Sequence, residues 1–231
     1  MLRGIVKFRA KIVEAELTFP LVEFDPKEPG VGKVEIEAPN GNEILTAVHV
    51  TGVDASADGV AVATKVHLAA LDRISFLESI VVENGHVTEQ KFSQIDPPTT
   101  GELHFTHLSA EAGHMALVGY PATLRVGRSA AHVKAELDQE APPGERCFSF
   151  FRSARQSKSP VEEFMHLYNI LLMLFDDSQA RVDEFILREN PGVPLTPDPR
   201  PNRTNNETVY TRFRNEFAHS GGRISIKPKR K

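Results

Sequence analysis

The spacing of the hydrophobic residues changes along this chain, and that change restricts the possible folds more than any other feature. As far as about residue 54, apolar residues occupy every second position in "VKFRAKIVEAEL", "GKVEIEA" and "EILTAVHVTGV". Such alternation is typical of strands that bury one face and expose the other. The segments "FDPKEPGVG" and "APNGN" between them are rich in the turn-forming residues Pro, Gly and Asn. The sequence therefore begins with a predicted antiparallel sheet.

A single long helix is predicted to interrupt the strands. The stretch "VAVATKVHLAALDRISFLE", from Val60 to Glu78, has helical spacing and contains neither Gly nor Pro. After it, "GHVTEQKFSQI", "ELHFTHLSA", "GHMALVGY" and "ATLRVGR" return to alternation. We therefore predict a β-rich α+β domain with one or two helices over residues 1–140.

A domain boundary is predicted in "DQEAPPGER", residues 138–146, which is polar and contains two prolines and a glycine. Residues 1–145 hold 12 basic and 21 acidic side chains, whereas residues 146–231 hold 15 and 10. From Pro199 onward the numbers are nine and two, the local sign expected of a surface that meets a polyanion. We predict a helical second domain over residues 147–225 and a basic tail over residues 226–231.

The second region contains clear helix starts. In "SPVEEF", Ser159 can cap the helix, Pro160 fits its first turn, and Glu162 can complete a reciprocal capping pair. The following "MHLYNILLMLF" is apolar over more than half its circumference, which favours the buried centre of a bundle. Ser178 begins another helix, "QARVDEFILREN", which Pro191-Gly192 ends.

A last helix is predicted after the proline-rich, extended segment "PGVPLTPDPRPNR", with a capping pair in "TNNE" at residues 204–207. On a helical projection, Asn215 and His219 fall about 100° and 140° from Arg214. The opposite face is apolar and is predicted to pack on the bundle; it consists of Val209, Tyr210, Phe213 and Phe217. The residues "SGG" at 220–222 end the helix, so the helix dipole favours the protonated form of His219.

This combination of side chains suits the cleavage of RNA. The guanidinium of an arginine holds phosphate through a planar fork of donors, and histidine can both accept and give a proton near neutral pH. The 2'-hydroxyl of RNA can act as an internal nucleophile. A base for that hydroxyl and a cation for the phosphate are then sufficient in principle.

The stretch "RNEFAH" resembles the R-x(4-6)-H motif of the HEPN superfamily, in which a polar residue often follows the arginine, as Asn215 follows Arg214 here. The resemblance covers about residues 150–225 and implies a helical bundle that acts as a dimeric, metal-independent ribonuclease without a cofactor. It implies that Arg214 and His219 form the catalytic pair and that Asn215 orients them. The whole layout is similar to the methylamine-utilisation MauJ proteins and to ApeA-like HEPN proteins. RNA and a second copy of the chain are the implied partners.

Two alternatives stay open at this stage. Arg214 could instead pair with Glu162 or Glu163 while His219 only ends its helix, or the same face could bind RNA, a nucleotide or a partner without cleavage, as in an accessory protein of a metabolic operon. Weaker signals are set aside: "PGVGKV" at 29–34 lacks the first glycine and the Ser/Thr of a phosphate loop, and "HFTH" lacks accompanying metal ligands.

A cytoplasmic protein is the expectation from the remaining features. The single cysteine, Cys147, cannot form an internal disulfide and is predicted to be a packing residue. The longest apolar run is six residues, from Ile170 to Phe175, far below the roughly 20 that cross a bilayer, so we expect no membrane insertion.

Overall fold

The computed structural model describes residues 1–13, 15–95, 124–138, 146–198 and 206–219. The chain is a mixed α+β protein that divides into two compact units, Met1–Gln156 and Ser157–Lys231. The predicted strand segments "ELHFTHLSA" and "GHMALVGY" and the predicted basic tail lie outside the described residues.

The first unit is built on a seven-stranded sheet. Its strands are β1 (Leu2–Val13), β2 (Ala15–Phe24), β3 (Val31–Ala38), β4 (Glu43–Val53), β5 (Val81–Val82), β6 (His86–Gln94) and β7 (Leu124–Gly127). The order is β5-β1-β4-β3-β2-β7, and β6 also pairs with β1. All pairs are antiparallel except β2 with β7. The first strand of the chain therefore lies inside the sheet, with β4 on one side and β5 and β6 on the other.

The alternation in the sequence determines which side of the sheet is buried. On β1, Val6, Phe8, Ala10 and Ile12 are buried while the residues between them are exposed. Helix α1 (Ser56–Leu77) covers the buried side with Ala63, Val66, Ala70, Leu71 and Ile74. The predicted strands as far as residue 54, the helix and the strand in "GHVTEQKFSQI" are confirmed, and the helix begins four residues earlier than the predicted segment.

The side chain of Phe92 on β6 packs against two glycines of other elements in the first unit. A Cβ atom on Gly4 of β1 would lie 2.5 Å from the Phe92 ring and closer still to the carbonyl oxygen of Lys91, and one on Gly59 of α1 would lie 2.5 Å from the same ring. Such distances are far inside van der Waals contact, so only glycine leaves room for the ring at these positions. Phe92 therefore packs between a strand and a helix that are distant in sequence.

Two further helices belong to the first unit: α2 (Ala130–Asp138) and α3 (Arg146–Gln156). Phe148 and Phe151 of α3 pack against Phe76 of α1, with ring centroids 4.7 and 5.3 Å apart. The buried Arg152 donates to Asp72 at 2.5 Å and also to Asn84.

These contacts explain why the division between the units follows Gln156, whereas the second domain was predicted to begin at Cys147. The polar segment before Arg146 marks a change of element, but the aromatic residues of α3 pack on the sheet unit.

The second unit contains helices α4 (Pro160–Leu174), α5 (Gln179–Glu189) and α6 (Val209–His219) and a short hairpin of β8 (Leu195–Pro197) and β9 (Asn206–Thr208). The side chains of Ser159 and Ser178 accept hydrogen bonds from the backbone amides of Glu162 and Arg181 and cap α4 and α5 as predicted. The predicted reciprocal bond from the Ser159 amide to the Glu162 carboxylate is replaced by two bonds through Ser157. The Ser159 amide donates to the Ser157 hydroxyl, and that hydroxyl donates to the Glu162 carboxylate.

Among the described residues of the second unit, the buried hydrophobic cluster consists of Tyr168, Leu172 and Val182, with partly buried neighbours. On α4, Leu167 and Leu174 remain 40% and 56% exposed. The prediction that this helix is the buried centre of a bundle is therefore wrong for the unit as it stands. None of the helices in the described ranges combines the length and the apolar character that crossing a bilayer requires.

Candidate functional site

Helix α6 carries the predicted site residues and begins one residue after β9. Thr208 caps it, because its side-chain oxygen accepts a hydrogen bond from the Thr211 amide at 3.2 Å. The Val209 amide donates to the carbonyl of Pro194 at 3.0 Å. The predicted capping pair in "TNNE" is wrong in part, since Glu207 lies in β9; Thr204 lies outside the described residues.

Arg214 and Asn215 are adjacent, half-buried residues of α6. The Arg214 Nη1 atom donates to Asn215 Oδ1 at 3.2 Å. The Arg214 Nε atom is buried and has no hydrogen-bond partner in the described residues. The Nε–H group of this guanidinium is therefore shielded from water and makes no hydrogen bond to the described residues.

Asn215 is held by residues from two other elements. Gln179 of α5 donates to its Oδ1 at 2.7 Å, and the Asn215 Nδ2 atom donates to the buried Glu207 carboxylate at 3.3 Å. The side-chain oxygen of Asn215 thus accepts hydrogen bonds from both Gln179 and Arg214, and its nitrogen donates one to a carboxylate. These three bonds fix the orientation of the amide beside the arginine.

A second group of polar side chains, those of Thr208 and Thr211, lies on the same strip as Asn215 at the start of α6. The hydroxyls of Thr208 and Thr211 donate to Asp183 of α5 at 2.5 and 2.6 Å, and the Thr208 amide donates to the same oxygen at 3.2 Å. The hydroxyl of Tyr168 on α4 is 2.5 Å from that of Thr211. Since Thr211 donates to Asp183, it accepts from Tyr168. Burial raises the pKa of Tyr168, and this hydrogen bond and the Asp183 charge act on it less strongly.

The polar strip of α6 faces inward, which differs from the predicted arrangement of its faces. Thr211 is 1% exposed, whereas Tyr210 and Phe213 on the predicted packing face are 42% and 37% exposed. Phe213 does contact Phe164 of α4, with centroids 5.5 Å apart, so the apolar face is packed only in part. Asp183 supplies the reason, because its carboxylate satisfies the threonine hydroxyls inside the unit.

The spacing of the polar residues in α6 is a sequence signal for this network that the predictions above did not use. Thr208, Thr211 and Asn215 have the spacing i, i+3, i+7, which places three hydrogen-bonding side chains on one strip of a helix. The partners Asp183 and Tyr168 could not be found from this spacing, since they lie on other elements.

The placement of the His219 side chain lies outside the described part of the structure. The backbone of α6 extends to His219. Its predicted proximity to Arg214 stays a prediction. The alternative partners of Arg214 are not found: within the described ranges it has no ion pair with Glu162 or Glu163.

Outside α6, the described ranges contain one group of side chains of the types that bind metal ions. Ligand atoms of Glu78, His132 and Glu136 lie within 4.8 Å of one another. However, Arg128 donates to both oxygens of Glu78 at 2.7–2.9 Å and supplies its counter-charge. The group is therefore explained as an ion-pair cluster, and we assign no metal to it.

Cys147 is buried in the first unit, and burial raises the pKa of its thiol, which agrees with a packing role. His104 and His107 of "HFTH" lie outside the described residues.

Comparison of the chain with protein-family models, with curated proteins and with solved structures finds no match.

Proposed function

We propose that the protein is a metal-independent endoribonuclease of the HEPN type that acts as a dimer through its helical unit. The observation that carries the proposal is the Arg214–Asn215 pair, in which a half-buried guanidinium bonds an amide that Gln179 and Glu207 hold in place. An arginine that is already held in this way has little conformational freedom left to lose when it binds a phosphate. The proposal also rests on the resemblance of "RNEFAH" to the HEPN motif.

In the proposed reaction, Arg214 binds the non-bridging oxygens of one phosphodiester. His219 removes the proton from the 2'-hydroxyl, the 2'-oxygen forms a bond to phosphorus, and the bond to the 5'-oxygen breaks. His219, protonated in that step, gives a proton to the leaving 5'-oxygen as general acid, so the products are a 2',3'-cyclic phosphate and a 5'-hydroxyl. Asn215 acts as a positioning residue, since its Oδ1 accepts from Arg214 Nη1.

A second candidate function is a binding or accessory protein without turnover, in which the same face holds RNA, a nucleotide or a partner. The observation that favours it is that both ends of the Asn215 amide have partners inside the unit. Such bonding also stabilises a structural helix. The two candidates share a phosphate-binding Arg214 but differ in the role of His219.

The deciding experiment incubates the purified protein with single-stranded and structured RNA in EDTA. For the ribonuclease we expect 2',3'-cyclic phosphate ends, loss of cleavage in His219→Ala with RNA binding retained, and loss of cleavage with weaker RNA binding in Arg214→Ala. The matched control is Arg188→Ala, an exposed arginine of α5 that pairs with Glu189 and should leave cleavage unchanged.

RNA that stays intact with the unmodified protein would reject the ribonuclease. RNA binding that Arg214→Ala weakens would then support the accessory function. Because the proposed active site combines the motifs of two chains, sedimentation at micromolar concentration should show a dimer.

A further inference from the structure

The outward side of β1 carries a line of positive charge. Arg3, Lys7, Arg9 and Lys11 are exposed and, together with Ile5, lie on the side of β1 opposite the buried Val6, Phe8, Ala10 and Ile12. With Lys91 of β6, they form what we call the basic stripe. Alternate residues of a strand are about 6.8 Å apart, so the line from Arg3 to Lys11 is about 27 Å long.

The stripe is only partly neutralised. Glu89 of β6 pairs with both Lys7 and Lys91, and Glu43 of β4 lies 3.3 Å from Arg9. Arg3 and Lys11 have no ion pair within the described ranges. Five cations therefore face two carboxylates.

This local excess is opposite to the charge of the surrounding sequence. Residues 1–145 hold 12 basic and 21 acidic side chains. On the same side of the sheet, β3 presents Glu35 and Glu37 beyond β4. The stripe is thus a segregated feature of β1 and β6 and not a consequence of overall composition.

A groove lies at the Arg3 end of the stripe. It has a volume of about 440 Å³ and is lined by the Ile5 side chain, by Gly32, and by the basic residues Arg3, His49 and Lys91. Gly32 sits at a register shift between Val31 and Lys33, and a Cβ atom there would meet nothing closer than 4.0 Å. The missing side chain keeps the groove open above an apolar floor.

We propose that the basic stripe and this groove bind single-stranded nucleic acid. The stripe presents a single line of cations to one phosphate backbone, and the groove offers an apolar surface and flanking cations to one unpaired base. A duplex offers no unpaired base for the groove. The inference concerns the first unit alone and does not require the ribonuclease proposed for the second.

The test uses the full chain and a labelled oligodeoxythymidine in fluorescence anisotropy at several salt concentrations. This probe lacks the 2'-hydroxyl, so it cannot undergo the proposed cleavage, and binding is measured whether or not the protein is a ribonuclease. The variant is Arg3→Gln with Lys11→Gln, since both side chains are exposed and without ion pairs in the described ranges. The matched control is Lys27→Gln with Lys65→Gln, which removes equal charge from two side chains that are 83% and 68% exposed away from the stripe.

Each phosphate contact of a single strand contributes about 0.7 to the slope of log K against log salt. Loss of two contacts should therefore make the slope less steep by about 1.4 and weaken binding about 25-fold at 0.1 M salt. The control variant should bind like the unmodified protein. Gly32→Leu, which changes no charge but fills the groove, should weaken binding with little change of slope.

Equal losses in the stripe variant and the control would overturn the proposal, because they would reflect net charge alone. It would also be overturned if the unmodified protein failed to bind, or if it bound vesicles of anionic lipid but not the oligonucleotide. Thermal unfolding followed by circular dichroism should show that all three variants fold.

Discussion

The buried histidine of α1 should make the stability of the first unit depend on pH. His67 is 0% exposed, and its ring stacks on Phe8 with centroids 4.3 Å apart and an interplanar angle of 10°. Neither ring nitrogen has a hydrogen-bond partner in the described residues. Burial, and secondarily the charge of Arg152, lower the pKa of His67 from 6.5 to about 4.

The sign follows from proton binding. Between pH 6.5 and 4 the unfolded chain holds a proton on His67 that the folded chain does not, so stability rises with pH in this window. The contribution of the neutral His67 to the free energy of unfolding is fully present above pH 6.5 and is lost as the pH falls toward 4. With 1.36 kcal/mol for each pH unit of difference, the folded state should lose about 2 kcal/mol between pH 7 and pH 5.

The assay is urea unfolding followed by far-UV circular dichroism, since the chain contains no tryptophan. Carboxylates titrate in the same range, so the comparison is with His67→Leu, in which they are unchanged. We expect the free energy of unfolding to fall by about 2 kcal/mol more in the unmodified protein than in the variant between pH 7 and pH 5. An equal fall in both proteins would refute the reasoning.

Three substitutions test the packing and the polar network. Thr211→Val removes a buried hydroxyl that donates to Asp183 and should lower the free energy of unfolding by about 1–3 kcal/mol, measured by urea titration. Gly59→Ala sets a Cβ atom 2.5 Å from the Phe92 ring and should cost about 1–3 kcal/mol in the same assay. Ser178→Ala removes the cap of α5 and should cost about 1 kcal/mol, with a lower thermal midpoint.

Matched controls separate these effects from substitution in general. Gly32→Ala adds a methyl group in open space and should change stability far less than the helix glycine does. Thr196→Val removes a hydroxyl that is only partly buried, so water can replace its bond to the Glu207 carbonyl, and it should be nearly neutral. If either control costs as much as its partner, the contacts named above do not explain the losses.

The strands and first helix were predictable because one pattern controls both local structure and burial. On β3, Val34, Ile36 and Ala38 are buried while their neighbours are partly exposed, so a period of two in the sequence reappears as one buried face. The serine caps of α4 and α5 were equally local. These features require only residues a few positions apart.

The features that were missed depend on residues far apart in sequence. Helix α3 belongs to the first unit because Phe148 meets Phe76, which no local pattern shows. Likewise, α6 turns its threonines inward because Asp183 on another helix accepts from Thr211. Of the candidate site, the helical projection placed Arg214 and Asn215 on one face and the resemblance implied that Asn215 orients the arginine. The supports Gln179 and Glu207 required the tertiary structure.

The interior position of β1 has a consequence for biosynthesis. Strand β1 leaves the ribosome before β6, with which it pairs from Leu2 to Arg9, and Arg3 lies opposite Ser93. Pairs so distant in sequence form slowly, because a long loop must close before any contact rewards it. Until Gln94 has emerged, one edge of β1 is an unpaired strand edge, the kind of surface on which nascent chains associate. We therefore expect the first unit to complete its sheet only after most of its residues have been synthesised.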